Sequence, residues 1–424
     1  MEGDDVSGLG DGGSLDGVLV VDLSRALAGP HAGQVLGDLG ARVIKVESPG
    51  AGDDTRSWGP PFVDGTDGGS YSTYFLSCNR NKESIALDLK SDDGRAVLTE
   101  LLTRADVVIE NFRTGVMDRL GFGTATLAEL NPGLIQLSIS GFGHDGPEDG
   151  RAGYDQIAQG EAGLMSITGS GPDDPQRVGT PIADLLGGIH GVVGVLAALY
   201  EREQTGRGRV VRTSLLSALV GVHAFQGTRY LVAGEIPRAQ GNHHPSIAPY
   251  GLFRCGGGIG REGAVQISVG SEKLWQGFCQ EFGLDPGTPG LGSNPERVAN
   301  REETIRFVEE AFANSDAEAL LERLAGAGIP AGRVRSLDEV YGWDQVRSQG
   351  LVVDVEHQAL GSISLPGPAV RFFDVDGAGE TERARTVHGA PPVLDQHGAA
   401  IRAWLNTDTG PGGESPAVSD GAGR

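Results

Sequence analysis

VLVVDLSRALAGPHAGQVLGDLGARVIKVE, residues 18–47, holds a strand, a helix and a second strand in one stretch. The apolar run at 18–23 predicts a buried strand, residues 31–39 predict a helix that ends at Gly40, and 42–46 predict the next strand. A strand followed by a helix and then by another strand is typical of a parallel sheet with helices on its faces. This stretch therefore predicts an α/β fold.

The same alternation continues through the first half of the chain. We predict further strands at 84–89, 106–110 and 134–140, and helices at 94–103, 182–200 and 214–232. Short, fully apolar strands suit a sheet that is covered on both faces. The first half therefore predicts a doubly wound parallel sheet of the Rossmann-like kind.

A second pattern begins after Gly241. Strands are predicted at 250–254 and 264–269, helices at 272–282, 301–314 and 316–325, and strand-like runs at 351–355 and 361–365. We therefore predict a large α/β domain at 17–234, a smaller α+β domain at 235–335 and a return to the large domain at 336–405. Residues 1–16 and 406–424 are rich in Gly, Asp, Ser and Pro, and we expect them to be disordered tails.

The charge of the chain excludes several classes of partner. The formal net charge is −23, and only four lysines occur in 424 residues. So acidic a chain repels nucleic acid and anionic lipid, and we expect neither as a partner. Adaptation to concentrated intracellular salt explains the acidity, and a GC-rich genome is the alternative. The composition thus favours a halophilic protein.

Four further features favour a cytoplasmic protein without a prosthetic group or metal. No run of about 18 apolar residues predicts a membrane span, and the acidic start of the chain does not resemble a signal peptide. The three cysteines, Cys78, Cys255 and Cys279, match no zinc or redox spacing and are expected to be free thiols. Three G-x-G-x-x-G matches are what 69 glycines produce by chance, so no dinucleotide site is expected. The adjacent His243 and His244 lack neighbouring ligands, so no metal is expected.

Asp184 is the residue whose setting suggests chemistry. It stands in GTPIADLLGG, residues 179–188, at the start of a predicted apolar helix with four glycines. The unpaired amides of a helix start stabilise a carboxylate, and the glycines just beyond are expected to leave room for a substrate to approach. By itself this pattern is more typical of an ordinary helix cap.

Several segments in order, from residue 15 to about 373, resemble the class III CoA-transferases, the family of formyl-CoA and carnitine-CoA transferases. The matching segments are VDLSRALAGP at 21–30, LGARVIKVE at 39–47, NRNKESIALDLK at 79–90, ENFR at 110–113, RLGF at 119–122, GYD at 153–155 and Ala183-Asp184. The resemblance implies that Asp184 attacks an acyl-CoA thioester and forms an aspartyl anhydride, which returning CoA converts into an enzyme-CoA thioester. It implies a nucleotide site for coenzyme A formed by Leu87, Asp88, Lys90, Asn111, Phe112, Arg113, Arg119 and Tyr154.

The same resemblance leaves other activities and the substrates open. An α-methylacyl-CoA racemase has a histidine where this chain has Tyr154, and tyrosine is a poor base at neutral pH, so a transferase is favoured. A non-catalytic CoA-binding protein is the other alternative. The loop NHHPSIAPY, residues 242–250, resembles that of relatives that handle dicarboxylic acyl-CoAs, which suggests succinyl-CoA as donor and mesaconate as acceptor. Leu27 replaces a glutamine of formyl-CoA transferase, which disfavours oxalate.

Two further expectations follow from the resemblance. Two chains are expected to interlock as rings in a homodimer, linked by the segments after Tyr200 and after Pro330. A second substrate carboxylate, if buried, needs a cation or several donors, and Arg177, Arg229, His243 and His244 are the candidates.

Overall fold

The computed structural model describes residues 13–256, 260–377, 379–382 and 387–407. Its strands, in chain order, are β1 Leu19–Asp22, β2 Arg42–Glu47, β3 Phe62–Asp64, β4 Ser70–Ser72, β5 Lys82–Ala86, β6 Val107–Glu110, β7 Ile135–Ser140, β8 Val210–Ser214, β9 Tyr250–Arg254, β10 Ala264–Ser268, β11 Ala331–Gly332, β12 Val352–His357, β13 Gly361–Pro366, β14 Phe373–Asp376 and β15 Gly379–Glu382.

The helices fall mostly between the strands, as the alternation predicted. They are α1 Ala28–Asp38, α2 Thr73–Leu76, α3 Asp92–Arg104, α4 Val116–Leu120, α5 Thr124–Leu130, α6 Asp155–Glu161, α7 Ile182–Thr205, α8 Leu215–Gly221, α9 Ala224–Ala233, α10 Glu272–Phe282, α11 Asn294–Ala299, α12 Arg301–Phe312, α13 Ala317–Gly326, α14 Leu337–Tyr341, α15 Asp344–Ser348 and α16 Gly398–Thr407.

The first compact unit comprises Met1–Ala162, Pro181–Val222 and Gly350–Arg424. Its centre is a six-stranded, wholly parallel sheet in the order β5-β2-β1-β6-β7-β8. The chain runs outward from β1 to β5 and then crosses back to β6, so the direction of winding reverses between β1 and β6. Ligands of open α/β sheets bind at the carboxyl ends of the strands at such a reversal. The predicted α/β fold with a parallel sheet is confirmed.

Burial explains why these segments form strands. Every residue of β1 and of β6 is buried, as expected for strands with helices on both faces. The helix α3 and the last helix, α16, pack on one face, where Leu98, Leu101, Ile401 and others share one core cluster. The end of the chain therefore returns to this unit.

One predicted element is wrong. The helix expected at 214–232 is instead the end of β8 followed by α8 and α9. Ser214 ends the strand and caps α8, because its hydroxyl accepts a hydrogen bond from the amide of Ser217 and the Ser217 side chain bonds back. The remainder of the predicted range is helical but is interrupted at Val222 and His223, between α8 and α9. β8, the sixth strand of the sheet, was not predicted.

The second compact unit comprises Gly163–Thr180 and His223–Gln349. Its three-stranded antiparallel sheet has the order β11-β10-β9, and β9 and β10 pair as a hairpin. Helices α10, α12 and α13 cover it with a core that includes Trp275, Phe278 and Phe312. This is an α+β arrangement; the sequence analysis placed the small domain at 235–335.

The predicted tails lie mostly outside the described residues. Of their described parts, residues 14–17 form a turn that is tied to the body by the hydrogen bond from the amide of Leu15 to the carbonyl of Leu39, and residues 406 and 407 end α16. Within the described part of the chain, one helix, α7, has the length and the mean hydropathy, 1.9, of a membrane-spanning segment. The sequence analysis had found no such run.

Candidate active site

Asp184 lies in the first turn of α7, two residues after its start. The helix begins after Pro181, whose fixed φ angle suits this position but whose side chain offers no hydrogen bond to the first amides. The Asp184 side chain is half-buried. The Asp184 carboxyl group is therefore held at the N-terminal end of a helix of 24 residues.

The environment of Asp184 makes its carboxylate unusually basic. Burial raises its pKa to about 7, and the negative charge of Asp155 adds to the rise. An aspartate in water has a pKa of about 3.9. A carboxylate with a raised pKa is a stronger base and nucleophile, and such shifts concentrate at functional sites. Asp184 therefore has the electrostatics of a catalytic group.

Asp155 connects the short helix α6 to the first turn of α7. Its Oδ1 atom accepts a hydrogen bond of 2.7 Å from the backbone amide of Ala183, and its Oδ2 atom accepts one of 2.7 Å from Nε2 of the buried Gln159. From α2, Tyr74 also faces this region: burial raises its pKa to about 12, and the charge of Asp184 contributes. Tyr74 is therefore a protonated phenol at neutral pH.

The glycines of α7 allow close packing within the protein. A Cβ atom at Gly188 would lie 2.6 Å from the carbonyl oxygen of Ala28 in α1, and one at Gly194 would lie 2.4 Å from the side chain of Val211. At Gly187 and Gly191 the nearest atoms also belong to protein side chains. The prediction of a close approach is thus confirmed, but the approaching atoms belong to the sheet, α1 and α8, so these glycines make room for protein atoms and not, as expected, for substrate.

A cavity of about 600 Å³ opens at the carboxyl ends of β1, β2, β5 and β6, where the winding of the sheet reverses. Four of the predicted nucleotide-site residues line it, namely Leu87, Asp88, Lys90 and Phe112. Segments 23–25 and 45–49, which follow β1 and end β2, line it as well. Its position fits a nucleotide site of the Rossmann kind.

The other four predicted residues lie outside the lining of this cavity. The side chain of Asn111 forms two hydrogen bonds with the backbone of Arg25. Its Oδ1 atom accepts from the amide at 2.8 Å, and its Nδ2 atom donates to the carbonyl at 2.6 Å. Arg113 and Arg119 are exposed; Arg113 precedes α4 and Arg119 lies within it. Tyr154 is 67% exposed and precedes α6, beside Asp155. The structure thus brings four of the predicted residues together at the cavity and places Tyr154 directly before α6.

Known proteins match nearly the whole chain. The model of CoA-transferase family III matches residues 15–398. The human succinyl-CoA:glutarate CoA-transferase is 38% identical over 385 residues, which cover 90% of this chain and 84% of the human protein. The succinyl-CoA:mesaconate CoA-transferase of Haloarcula hispanica is 36% identical over 94% of this chain and 98% of that protein.

The chain belongs to CoA-transferase family III.

A solved structure agrees with this membership. A CAIB/BAIF family protein from Brucella suis is 38% identical, covers 93% of this chain and 100% of its own, and superposes with a TM-score of 0.79. The resemblance drawn from the sequence is therefore confirmed, and the chain is a CoA-transferase. This membership argues against a non-catalytic CoA-binding protein.

The structure adds charged groups that sequence reasoning missed. Two of the four lysines of this transferase, Lys45 and Lys82, are fully buried beneath the loop at 23–30. The Nζ atom of Lys82 donates to Asp22 at 2.9 Å, to Asn79 at 2.9 Å and to the carbonyl of Pro30 at 2.7 Å. All three of its donors are therefore used inside the protein.

Lys45 supports the same loop from β2. Its Nζ atom lies 2.8 Å from Oδ2 of Asp53 and 3.0 Å from the carbonyl of Ser24. Burial alone would lower the pKa of Lys45, but the charges of Asp22 and Asp53 raise it above the ordinary lysine value. Asp53 also accepts a hydrogen bond of 3.2 Å from the amide of Ala26, which has a left-handed φ of 66°. Buried charges thus fix the loop that leads into α1.

Arg25 is a further missed residue at the nucleotide cavity. It lines the cavity, and its guanidinium lies 5.3 Å from the centre of the Phe112 ring. The signal for Arg25 was its place shortly after the first strand, within the matching segment at 21–30.

Within the described residues no group of three or more His, Cys, Asp or Glu side chains could hold a metal, and the three cysteines are free and buried.

Proposed function

We propose that this transferase moves coenzyme A from succinyl-CoA to a small dicarboxylic acid such as mesaconate, with Asp184 as the nucleophile. The observation that carries the proposal is the half-buried Asp184 carboxyl, whose pKa burial and Asp155 raise to about 7, in a family III chain. The two relatives described above are named for succinyl-CoA and for a dicarboxylic acceptor.

The chemistry needs an ionised carboxylate and no redox step. An oxygen of Asp184 bonds to the acyl carbon of succinyl-CoA, the carbon–sulfur bond breaks, and CoA leaves as a thiolate. The thiolate attacks the aspartyl carbonyl of the anhydride, which forms an enzyme-CoA thioester and releases succinate. The acceptor carboxylate then attacks this thioester, and the returning thiolate takes the acceptor acyl group and restores Asp184. Water must be excluded throughout, because it would hydrolyse the anhydride.

The cavity at the carboxyl ends of the strands is the proposed site of the CoA nucleotide. Lys90 and Arg25 border it, and Arg113 and Arg119 are exposed nearby, in a chain whose net charge is strongly negative. Guanidinium and ammonium groups pair with phosphate oxygens, and Phe112 offers a ring face for stacking. The nucleotide phosphates are therefore expected to contact these cations.

Side chains of the second unit differ in their freedom to bind a second carboxylate. The guanidinium of Arg177 donates to the carbonyls of Val178 and Gly179, and Arg229 pairs with Glu235 at 2.7 Å. Burial lowers the pKa of both His243 and His244, so each is neutral at pH 7. Both histidines are thus candidates as neutral hydrogen-bond donors.

His244 has a defined tautomer and is the favoured donor. Its Nδ1 atom accepts a hydrogen bond of 3.1 Å from the amide of Ser246, so the proton lies on Nε2. The ring stacks on Tyr250 and Phe225, which fix its orientation. Arg301, missed in the sequence, lies close enough to lower the pKa of both histidines, and its guanidinium donates a hydrogen bond of 3.0 Å to the carbonyl of Pro245. Arg301 is therefore a cation that neighbours both histidines.

The test of the proposed function compares acceptor acids. With succinyl-CoA as donor, kcat/KM for mesaconate should exceed that for butyrate by on the order of tenfold to a hundredfold, because a buried second carboxylate is paired only in the diacid complex. Glutarate serves as a second diacid and propionate as a second monoacid, with products read by mass spectrometry. Equal or better use of the monoacids would exclude a dicarboxylate site.

Racemisation remains the second candidate activity. Tyr154 stands where a racemase has histidine, and a phenol is a poor proton acceptor at neutral pH. The wild-type enzyme should therefore leave the α-hydrogen of 2-methylacyl-CoA unexchanged in deuterated water. Exchange as fast as CoA transfer would reverse the ranking of the two activities.

We propose that the transferase works as a homodimer, interlocked as the family resemblance implies. In the first unit α7 exposes apolar side chains on one side, with Ile189, Val193 and Tyr200 at 43%, 59% and 73% exposure. In the second unit α9 exposes Leu231 and Val232, each at 81%. Apolar faces of this extent are typical of association surfaces. Light scattering should give twice the mass of one 44.0 kDa chain. A location in the cytoplasm stays a prediction.

A further inference from the structure

Asp155 lies between two elements of the active site and has no role in the transfer chemistry described above. We propose that Asp155 is a positioning residue for CoA transfer, which fixes the first turn of α7 and keeps the Asp184 carboxylate strongly nucleophilic. The inference rests on the proposed function of Asp184. It makes Asp155 part of the machinery although Asp155 does not itself react.

The Asp155 side chain is hydrogen-bonded to the backbone of the first turn of α7. The backbone amide of Ala183 is one of the first-turn amides of α7 that have no partner within the helix. Asp155 Oδ1 accepts its hydrogen bond at 2.7 Å, and the Ala183 side chain is fully buried. Gln159 holds the second oxygen of Asp155 at 2.7 Å from within α6. Both oxygens of the Asp155 carboxylate are therefore held, and one of them binds the residue that immediately precedes Asp184.

This hydrogen bond removes a stabilising contact from Asp184. Free amides at a helix start lower the energy of a nearby anion and make it less basic. Since Asp155 occupies the amide of Ala183, that donor cannot also bind Asp184. Asp155 in addition brings a second negative charge to the same helix end. Both effects disfavour charge on Asp184, so the ionised form that remains is more reactive.

The other charged groups around this turn do not offset that effect. From α2, Tyr74 has a pKa raised to about 12 by burial and by Asp184, so it is neutral. From α1, His31 lies beside Gly188; burial and then Arg80 and Lys82 lower its pKa to about 4, so it too is neutral. On β8, the charge of Arg212 acts to lower the pKa of Glu110 and of His144, and it is not among the causes of the Asp184 shift. α8 and β7 carry no titratable side chain. Burial and Asp155 remain as the two causes of the raised pKa of Asp184.

The pH dependence of transfer reports this effect directly. In the first step Asp184 must be ionised, because its oxygen forms the bond to the acyl carbon while sulfur leaves with the electron pair of the carbon–sulfur bond. The acidic limb of kcat/KM therefore follows the pKa of Asp184 in the free enzyme. For the wild type its midpoint should lie near pH 7. Removing the charge of Asp155 should move the midpoint down.

The experiment compares Asp155→Asn, Asp155→Glu and Glu161→Gln. Asn keeps an oxygen for the Ala183 amide but loses the charge, and its limb should move down by about one pH unit. Glu keeps the charge, and its limb should stay within a few tenths of a unit of the wild type. Glu161 ends the same helix and pairs with Arg151, so E161Q removes one charge from α6 without touching α7. It should leave the limb unchanged.

A second readout does not depend on turnover. Infrared spectra of carboxyl-labelled aspartate, taken as the difference between each variant and its Asp184→Asn counterpart, give the midpoint of Asp184 ionisation. The same downward shift is expected for Asp155→Asn. If Asp155→Asn lowers the rate at every pH without moving either midpoint, its role is structural and the proposal is wrong. The proposal is also wrong if Glu161→Gln moves the midpoint equally. If the wild-type enzyme shows no CoA transfer, the proposed function is wrong. The infrared measurement of the Asp184 ionisation midpoint would still test the role of Asp155.

Discussion

At Asp184 two influences oppose each other. The start of a helix favours a carboxylate, whereas burial and Asp155 disfavour it, and the second influence dominates because the pKa rises to about 7. A cap that served stability alone would show a lowered pKa. The direction of the shift therefore supports the proposed nucleophile over an ordinary helix cap.

This shift predicts a stability difference. Between the unfolded pKa of about 3.9 and the folded value of about 7, the folded state binds more protons, so stability is lost as the pH rises through this window. Asp184→Asn should therefore melt at a higher temperature than the wild type at pH 8, and the gap should narrow towards pH 5. Thermal denaturation at both pH values measures it. Identical melting temperatures at pH 8 would argue against a strained carboxylate.

Sequence reasoning reached Asp184 because a motif surrounds it, and it missed residues that act through the fold. Asp155 was read only as part of GYD, since its bond to Ala183 joins residues 28 positions apart. Lys45 and Lys82 look like ordinary cations in the sequence. They are buried because β2 and β5, which carry them, pair side by side in the sheet. Such contacts depend on topology and leave no local signal.

Among the elements, the strands of the parallel sheet were the most predictable. β1, β2, β6 and β7 are short and rich in Val, Ile or Leu, and each agrees with its predicted range within a residue or two. β8 was missed because VVRTS, residues 210–214, alternates apolar and polar residues only briefly before the helical run. The helix α1 begins three residues before its predicted start, since Pro30 is tolerated in a first turn.

Glycine-to-alanine substitutions in α7 and in α10 are expected to have opposite effects on the stability of the protein. A Cβ atom at Gly188 would lie 2.6 Å from the backbone oxygen of Ala28, which cannot move without shifting α1. Gly188→Ala should therefore destabilise the protein and reduce activity. At Gly277, inside α10, no atom lies within 4 Å of the added Cβ, so Gly277→Ala should stabilise by up to about 1 kcal/mol. Denaturant unfolding of both variants measures the difference. Similar effects at the two sites would contradict the close packing.

At the scale of the whole molecule, the charge predicts salt dependence. A net charge of −23 produces self-repulsion that is screened at molar salt, where the Debye length is about 3 Å. The melting temperature should therefore rise from dilute buffer to molar KCl. A melting temperature that does not change would favour genome composition as the cause of the acidity. The α/β class followed from the sequence. The segment 163–180, which belongs to the second compact unit, was placed in the large domain by the sequence, because its contacts are distant in the chain.

The central claim is that Asp184 carries the acyl group and then CoA during turnover. The most direct measurement is peptide mass spectrometry of the enzyme after brief incubation with succinyl-CoA in the absence of an acceptor. The peptide that contains Asp184 should gain the mass of CoA less one water, the adduct should disappear when mesaconate is added, and Asp184→Asn should show neither adduct nor turnover while it still binds CoA. An adduct on another residue, or an Asp184→Asn enzyme, free of deamidation, that retains more than a few per cent of the activity, would contradict the account.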